Sequence, residues 1–267
     1  MTLFNLLLVA ALQGLTEFLP VSSSGHLVLL PALTGFADQG LAIDVAVHVG
    51  TLLAVMLYFR RDVALAMGGL PRLVRGRVDT QGAWLMLLLI VATVPVMVAG
   101  LVLKLTGLID LMRSIEVIGW AMIVFGVLLY WADQKGPEVR GAARWSLRHA
   151  VILGLWQAVA LIPGTSRSGI CITGGRFLGY DRESTAKISM LMSIPTIIAS
   201  GGLLSLDIIG TDTPGLLRDA SIAAVFAFIA ALIALVLMMR LLRTISFTPY
   251  VIYRIALGVV LLAIAYG

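Results

Sequence analysis

Apolar positions in this chain fall in long continuous blocks, not in the alternation of a half-buried strand or the one-sided stripe of a surface helix. A helix that crosses a bilayer needs about 20 mostly apolar residues. Residues 83–103, 188–206 and 220–239 meet that requirement with no charged residue inside. Residues 116–131 and 246–267 come close, the latter tolerating Arg254 near its start, and residues 42–59 make a sixth stretch that carries Asp44 and His48. The pattern predicts six crossings.

Two further apolar stretches are interrupted. Residues 1–37 break at Leu19-Pro20-Val21-Ser22-Ser23-Ser24-Gly25-His26, and residues 150–175 break at Ile162-Pro163-Gly164-Thr165-Ser166-Arg167-Ser168-Gly169. Proline removes a helical donor and glycine loosens the backbone, so each break should separate two short helices. Irregular backbone at membrane depth is tolerated only where protein buries it or a wet cavity lies beside it. Both segments are therefore expected to be re-entrant.

Composition agrees with the blocks. Of 267 residues, 60% are hydrophobic and 12% charged, about half the charge density of a soluble domain, and mean hydropathy is +1.04. This excludes a soluble enzyme, a disordered chain and a nucleic-acid partner, despite a pI near 9.7. The single cysteine, Cys171, excludes a disulfide scaffold and a multi-cysteine metal site. The first 16 residues lack the basic start of a cleavable leader. Surplus Lys and Arg report topology instead. Arg60, Arg61, Arg72, Arg75 and Arg77 crowd the 60–80 loop; Lys135, Arg140, Arg144 and Arg148 crowd 132–149; Arg240 and Arg243 precede the last crossing. Loops 104–113 and 206–219 are poorer, with Lys104, Arg113 and Arg218, and the first 40 residues hold no Lys or Arg. The rich loops are expected on the cytoplasmic side, with both termini outside. The second broken segment then enters from the cytoplasm and the first from the opposite face.

The two breaks are alike. Phe18–Gly25 parallels Leu161–Gly169 with one residue inserted, and each is followed by three crossings. Three is odd, so the halves are expected to be inverted with respect to each other, within a single membrane domain spanning 1–267: repeat one about 1–135, repeat two about 145–267. Such repeats are a transporter signature, but they serve any site that must sit at membrane depth.

Both breaks place hydroxyls and glycine just before a helix start, where free N–H groups and partial positive charge suit phosphate. Converging tips bring Arg167, a bidentate fork for phosphate oxygens, toward Ser22, Ser23, Ser24 and His26. The bland alternative is that the hydroxyls cap helices and Arg167 snorkels. Buried arginine is expensive without a partner, which favours the functional reading. Glu17 is the only acid in the first 37 residues, and Gln13 lies one turn earlier on its face. Arg167 or a divalent cation could hold Glu17 ionised, and oxygen donors from Gln, Glu and phosphate suit magnesium or calcium; a neutral Glu bonded to backbone is the alternative. His26 can serve as acid or base beside Ser23 or Ser24. His48 has Asp44 one turn back and reads equally well as packing. His149 is expected to be solvated, Asp181, Arg182, Glu183 and Lys187 to form an exposed helix start, and Arg254 to snorkel.

With these residues the chain resembles the undecaprenyl-diphosphate phosphatase family, also called the bacitracin-resistance proteins, over essentially its whole length. One family motif stands here as Gln13-Gly14-Leu15-Thr16-Glu17 with Phe18 to His26 following, the other as Pro163-Gly164-Thr165-Ser166-Arg167-Ser168-Gly169. The resemblance implies that Glu17, His26 and Arg167 are essential, with Ser22, Ser23 and Ser166 in the site. It implies a reaction that converts a polyprenyl diphosphate to the monophosphate lipid carrier and inorganic phosphate. It further implies a divalent cation, a site open to the outer face of a bacterial plasma membrane, six spans plus two re-entrant helix pairs in an all-α fold, and homodimers. Gln13 stands where many relatives have Glu, and Ser24 where some have Thr.

The expected mechanism is phosphoryl transfer at membrane depth. Arg167 and the half-helix N-termini clamp the phosphate, with Ser22, Ser24, Gly25, Thr165, Ser166 and Ser168 around the headgroup. Glu17 with Gln13 holds the cation, and Ser23 attacks with help from His26; a water directed by His26 is the competing nucleophile. The rival function is a transporter or flippase of polyprenyl phosphate or another anion, and a membrane scaffold is a weaker third.

Overall fold

A computed structural model describes residues 2–34, 40–108, 112, 114–206 and 215–267. Parts of loops 104–113 and 206–219, with Arg113, lie outside the described residues. The described chain is helical: α1 (Leu3–Thr16), α2 (Ser23–Thr34), α3 (Leu41–Tyr58), α4 (Arg60–Val74), α5 (Gln81–Thr106), α6 (Ile115–Lys135), α7 (Leu147–Val159), α8 (Arg167–Phe177), α9 (Arg182–Leu206), α10 (Leu216–Leu241) and α11 (Thr248–Tyr266). Six of these, α3, α5, α6, α9, α10 and α11, are long and apolar enough to cross a membrane, and they coincide with the six expected crossings. Their outward faces are apolar, as lipid requires: Val94, Val98, Leu101 and Leu105 of α5 are all exposed.

Each interrupted segment forms two short helices around its break, α1 with α2 and α7 with α8. Helix starts are marked by side-chain caps: Thr2 accepts from Asn5 N, Ser146 from His149 N and Ser166 from Gly169 N, each satisfying a donor the helix itself leaves open. The pairs pack across the halves of the chain. α1 lies mainly on α10, and α7 lies mainly on α5. Both contacts are backbone-close at a glycine. A Cβ on Gly14 would fall 2.6 Å from Ala227 O, and one on Gly154 would fall 2.7 Å from Ala92 O. Small residues at such crossings are how helices associate where burial from water supplies no driving force.

Four expectations need correction. The 60–80 stretch is not only a loop: it contains α4, an amphipathic helix packed on α5. Arg254 does not snorkel; it is fully buried and donates to the carbonyls of Met122, Gly164 and Thr165. The charged run at 181–187 is engaged: Arg182 Nε reaches Asp133 Oδ1 at 2.8 Å, Lys187 Nζ reaches Asp62 Oδ1 at 2.7 Å, and Asp181 accepts from Ser184. His149 is bonded, its Nδ1 2.7 Å from the Tyr180 hydroxyl. Asp133 is the centre of this end of the molecule. Its carboxylate pairs with buried Arg176 at 3.2 Å and accepts from Phe247 N, so α6, α8, α9 and the start of α11 are tied at one buried charge. Burying both partners costs desolvation, but removing one would strand the other.

Candidate active site

The breaks bring the two tips into contact. Ser168 Oγ donates to Leu19 O at 2.9 Å, and Gly164 N donates to Ser24 Oγ at 3.2 Å. Each tip turns through a serine in the left-handed region, Ser22 at φ 72° and Ser166 at φ 68°, and these are the only non-glycine residues with positive φ among those described. Each is followed by the same hydroxyl pair: Ser22 Oγ lies 3.0 Å from Ser24 Oγ, and Ser166 Oγ lies 3.1 Å from Ser168 Oγ. A left-handed residue with a side chain costs about 1–2 kcal/mol, and such strain persists where surrounding structure over-determines it. Here the tip-to-tip bonds do so.

Between the tips is a cavity of about 140 Å³ lined by Glu17, Ser22, Ser23, Ser24, Ala160, Ile162, Gly164, Ser166 and Arg167. That is room for a few waters at about 30 Å³ each. Across it Arg167 Nη2 donates to Glu17 Oε1 at 3.2 Å, and Arg167 Nη1 donates to Ser189 O at 3.1 Å. The guanidinium also lies 5.9 Å from the ring centre of Phe18. The other carboxylate oxygen, Glu17 Oε2, accepts from Gln13 Nε2 at 2.8 Å and from Ser23 Oγ at 3.1 Å. The second amide hydrogen of Gln13 is directed at His48 Nε2, 3.1 Å away. His48 Nδ1 must donate to the Asp44 carbonyl 2.7 Å from it, which leaves Nε2 as the acceptor in the neutral ring.

Several predicted site residues are placed differently from expectation. His26 does not pair with Ser23 or Ser24. Its Nδ1 is 2.7 Å from Ser22 O and its Nε2 2.7 Å from the Tyr253 hydroxyl, against whose ring it stacks. Ser23 is turned to Glu17 because the carboxylate is the stronger acceptor. Gly25, Thr165 and Ser168 are not on the cavity wall. A Cβ on Gly25 would meet Met122 Sδ at 2.6 Å, so that glycine admits α6; Thr165 and Ser168 are fully buried, the latter joining the tips. His48, Tyr253 and Arg254 complete the surroundings and were not singled out for it. A histidine and an arginine inside otherwise apolar crossings were the available signal.

Residues 6–260 match the family described as bacitracin resistance protein BacA. Among curated relatives, the chain is 70% identical to an undecaprenyl-diphosphatase of Dinoroseobacter shibae, 67% to one of Ruegeria pomeroyi and 65% to one of Roseobacter denitrificans, each over 267 residues and the whole of both chains.

Proposed function

This chain belongs to the bacitracin resistance protein BacA family, and on that premise we propose that it is a membrane phosphatase that cleaves undecaprenyl diphosphate to the monophosphate and inorganic phosphate. One observation carries the reading: a serine hydroxyl, a carboxylate and an arginine meet across two helix starts around a cavity at the contact of the tips.

In this reading the lipid tail stays in the bilayer and the diphosphate enters between the tips. Arg167 turns from Glu17 to the terminal phosphoryl group, and the N-termini of α2 and α8 add their partial positive charge where negative charge builds up. Ser23 Oγ attacks the terminal phosphorus and its proton passes to Glu17 Oε2, toward which it already points. The bond from phosphorus to the bridging oxygen breaks, and the lipid monophosphate leaves. Water then cleaves the phosphoserine, giving inorganic phosphate and restoring the hydroxyl. The Ser23–Glu17 bond replaces the expected Ser23–His26 pair as the activating contact. A pure transporter has no evident need for such a pair.

A divalent cation, magnesium or calcium, fits the residues present. Gln13 Oε1 is buried without a partner among the described residues, on an amide whose Nε2 donates to Glu17 Oε2, although Gln13 itself does not line the cavity. No three His, Cys, Asp or Glu side chains cluster as a cage among the described residues, so diphosphate oxygens would complete the ligand set, as is common for magnesium. Glu17 and Gln13 would hold the ion, and bound there it would neutralise diphosphate charge. The six apolar helices support a multi-pass membrane protein, and the arginine-rich ends at 60–77 and 140–148 support a cytoplasmic side for those ends. The family resemblance supports the bacterial inner membrane and a site reached from the outer face. The matched serine turns and the cross-packing of α1 and α7 support two inverted repeats. The resemblance supports a homodimer.

Purified protein incubated with undecaprenyl diphosphate and a divalent cation should release inorganic phosphate. Lipid translocation without phosphate release would overturn the reading in favour of the transporter.

A further inference from the structure

Two consecutive residues of α11 reach the two tips separately. The Tyr253 hydroxyl lies 2.7 Å from His26 Nε2, and His26 Nδ1 lies 2.7 Å from the carbonyl of Ser22, the strained residue of the first tip. A carbonyl can only accept, so Nδ1 carries the hydrogen and the neutral ring receives the tyrosine hydrogen at Nε2. Arg254 Nη2 donates to Gly164 O at 3.1 Å and to Thr165 O at 2.8 Å, the two residues preceding Ser166, the strained residue of the second tip. Its Nε donates to Met122 O on α6 at 3.1 Å.

Arg254 is an unusual tether. It is fully buried, and no carboxylate among the described residues pairs with it. Among the described residues its Nη1 is buried without a partner, as is the hydroxyl of Thr165. An unpaired buried cation is costly, so a purely structural clamp would be better built from a neutral donor. Neither Tyr253 nor Arg254 lines the cavity. Their contacts run instead to His26 and to the carbonyls of Gly164 and Thr165.

We propose that Tyr253 and Arg254 are a positioning pair: one helix, α11, sets the two tips in register, so that the Ser23–Glu17 bond and the Arg167 fork face the same phosphoryl group. The charge of Arg254, behind the N-terminus of α8, also adds to the positive potential at the second tip. The kinetic half of this proposal rests on the phosphatase reading; the structural half does not.

The test uses the full-length protein in lipid nanodiscs, with Tyr253→Phe, Arg254→Lys and Arg254→Met. Misplacement without loss of a binding group should lower kcat and leave KM within about twofold, with Tyr253→Phe costing roughly tenfold and Arg254→Met roughly 100-fold. Arg254→Lys should recover part of the loss, since an ammonium can reach one carbonyl but not all three. Amide hydrogen exchange should quicken at 22–26 in Tyr253→Phe and at 163–169 in Arg254→Met, with α3, α5 and α10 unchanged. Unaltered kcat in Tyr253→Phe and Arg254→Met, or protection lost evenly along the chain, would overturn the pair. Absence of phosphate release by the unaltered protein would instead sink the phosphatase reading, and exchange at the two tips would then decide the positioning role alone.

Discussion

The two tips share a frame and differ in charge. Positions 144 residues apart correspond: Gln13 with Gln157, Ser22 with Ser166, Ser24 with Ser168 and Gly25 with Gly169. Both serine turns are left-handed, both hydroxyl pairs are closed and both glutamines are fully buried. At the remaining positions the tips part. Glu17, Ser23 and His26 of the first stand opposite Leu161, Arg167 and Ile170 of the second. The frame therefore makes the geometry, and the unlike residues make the chemistry: acceptor and nucleophile on one side, phosphate fork on the other.

The largest expected effect comes from exchanging the charges. Glu17→Gln should abolish phosphate release, and Glu17→Arg combined with Arg167→Glu should stay inactive although an ion pair can re-form. Ser23 would then face the wrong charge. Recovery in the double exchange would show that the pair merely joins the tips. Arg167→Lys should cost about 100-fold in kcat, on the scale of losing one transition-state donor, because a point charge cannot grip two phosphate oxygens; near-normal turnover would remove Arg167 as the clamp.

The same substitution at matched positions sharpens the contrast. Gln13→Glu should keep or raise activity, with a steeper dependence on divalent cation, since an anion there can bind the ion. Gln157→Glu should lower stability by about 3 kcal/mol, because Gln157 donates to Ala92 O and has no cation partner among the described residues. Thermal unfolding of the two variants side by side checks this; equal losses would erase the distinction. The smallest effect is expected at the serine turns. Ser22→Gly should relieve about 1 kcal/mol of left-handed strain. Ser166→Gly should gain less, because its hydroxyl also caps Gly169 N.

Unbroken apolar runs made the crossings legible because a lipid-facing helix announces itself over about 18 or more residues without reference to its neighbours. The breaks were legible for the same local reason: Pro20, Pro163 and the Gly/Ser runs act on their own backbone. What stayed hidden was pairing at a distance. Arg254 looked like a snorkelling residue because its partners are carbonyls of residues 122, 164 and 165, which carry no side-chain signal. His26 was paired with the nearest hydroxyl in sequence, whereas its ring meets Tyr253, 227 positions away. His48 lies on the third helix yet faces Gln13. The α4 helix was missed because its arginines and glycines obscure a short amphipathic stretch that gains its stability from packing on α5.

The central claim is that Ser23, held by Glu17, receives the phosphoryl group that Arg167 clamps. Undecaprenyl diphosphate labelled at its terminal phosphate, mixed with the protein and quenched within one turnover, tests it most directly. The account expects label on the peptide containing Ser23 and none in Ser23→Ala, which should also lose turnover. An unlabelled chain together with full activity in Ser23→Ala would contradict it.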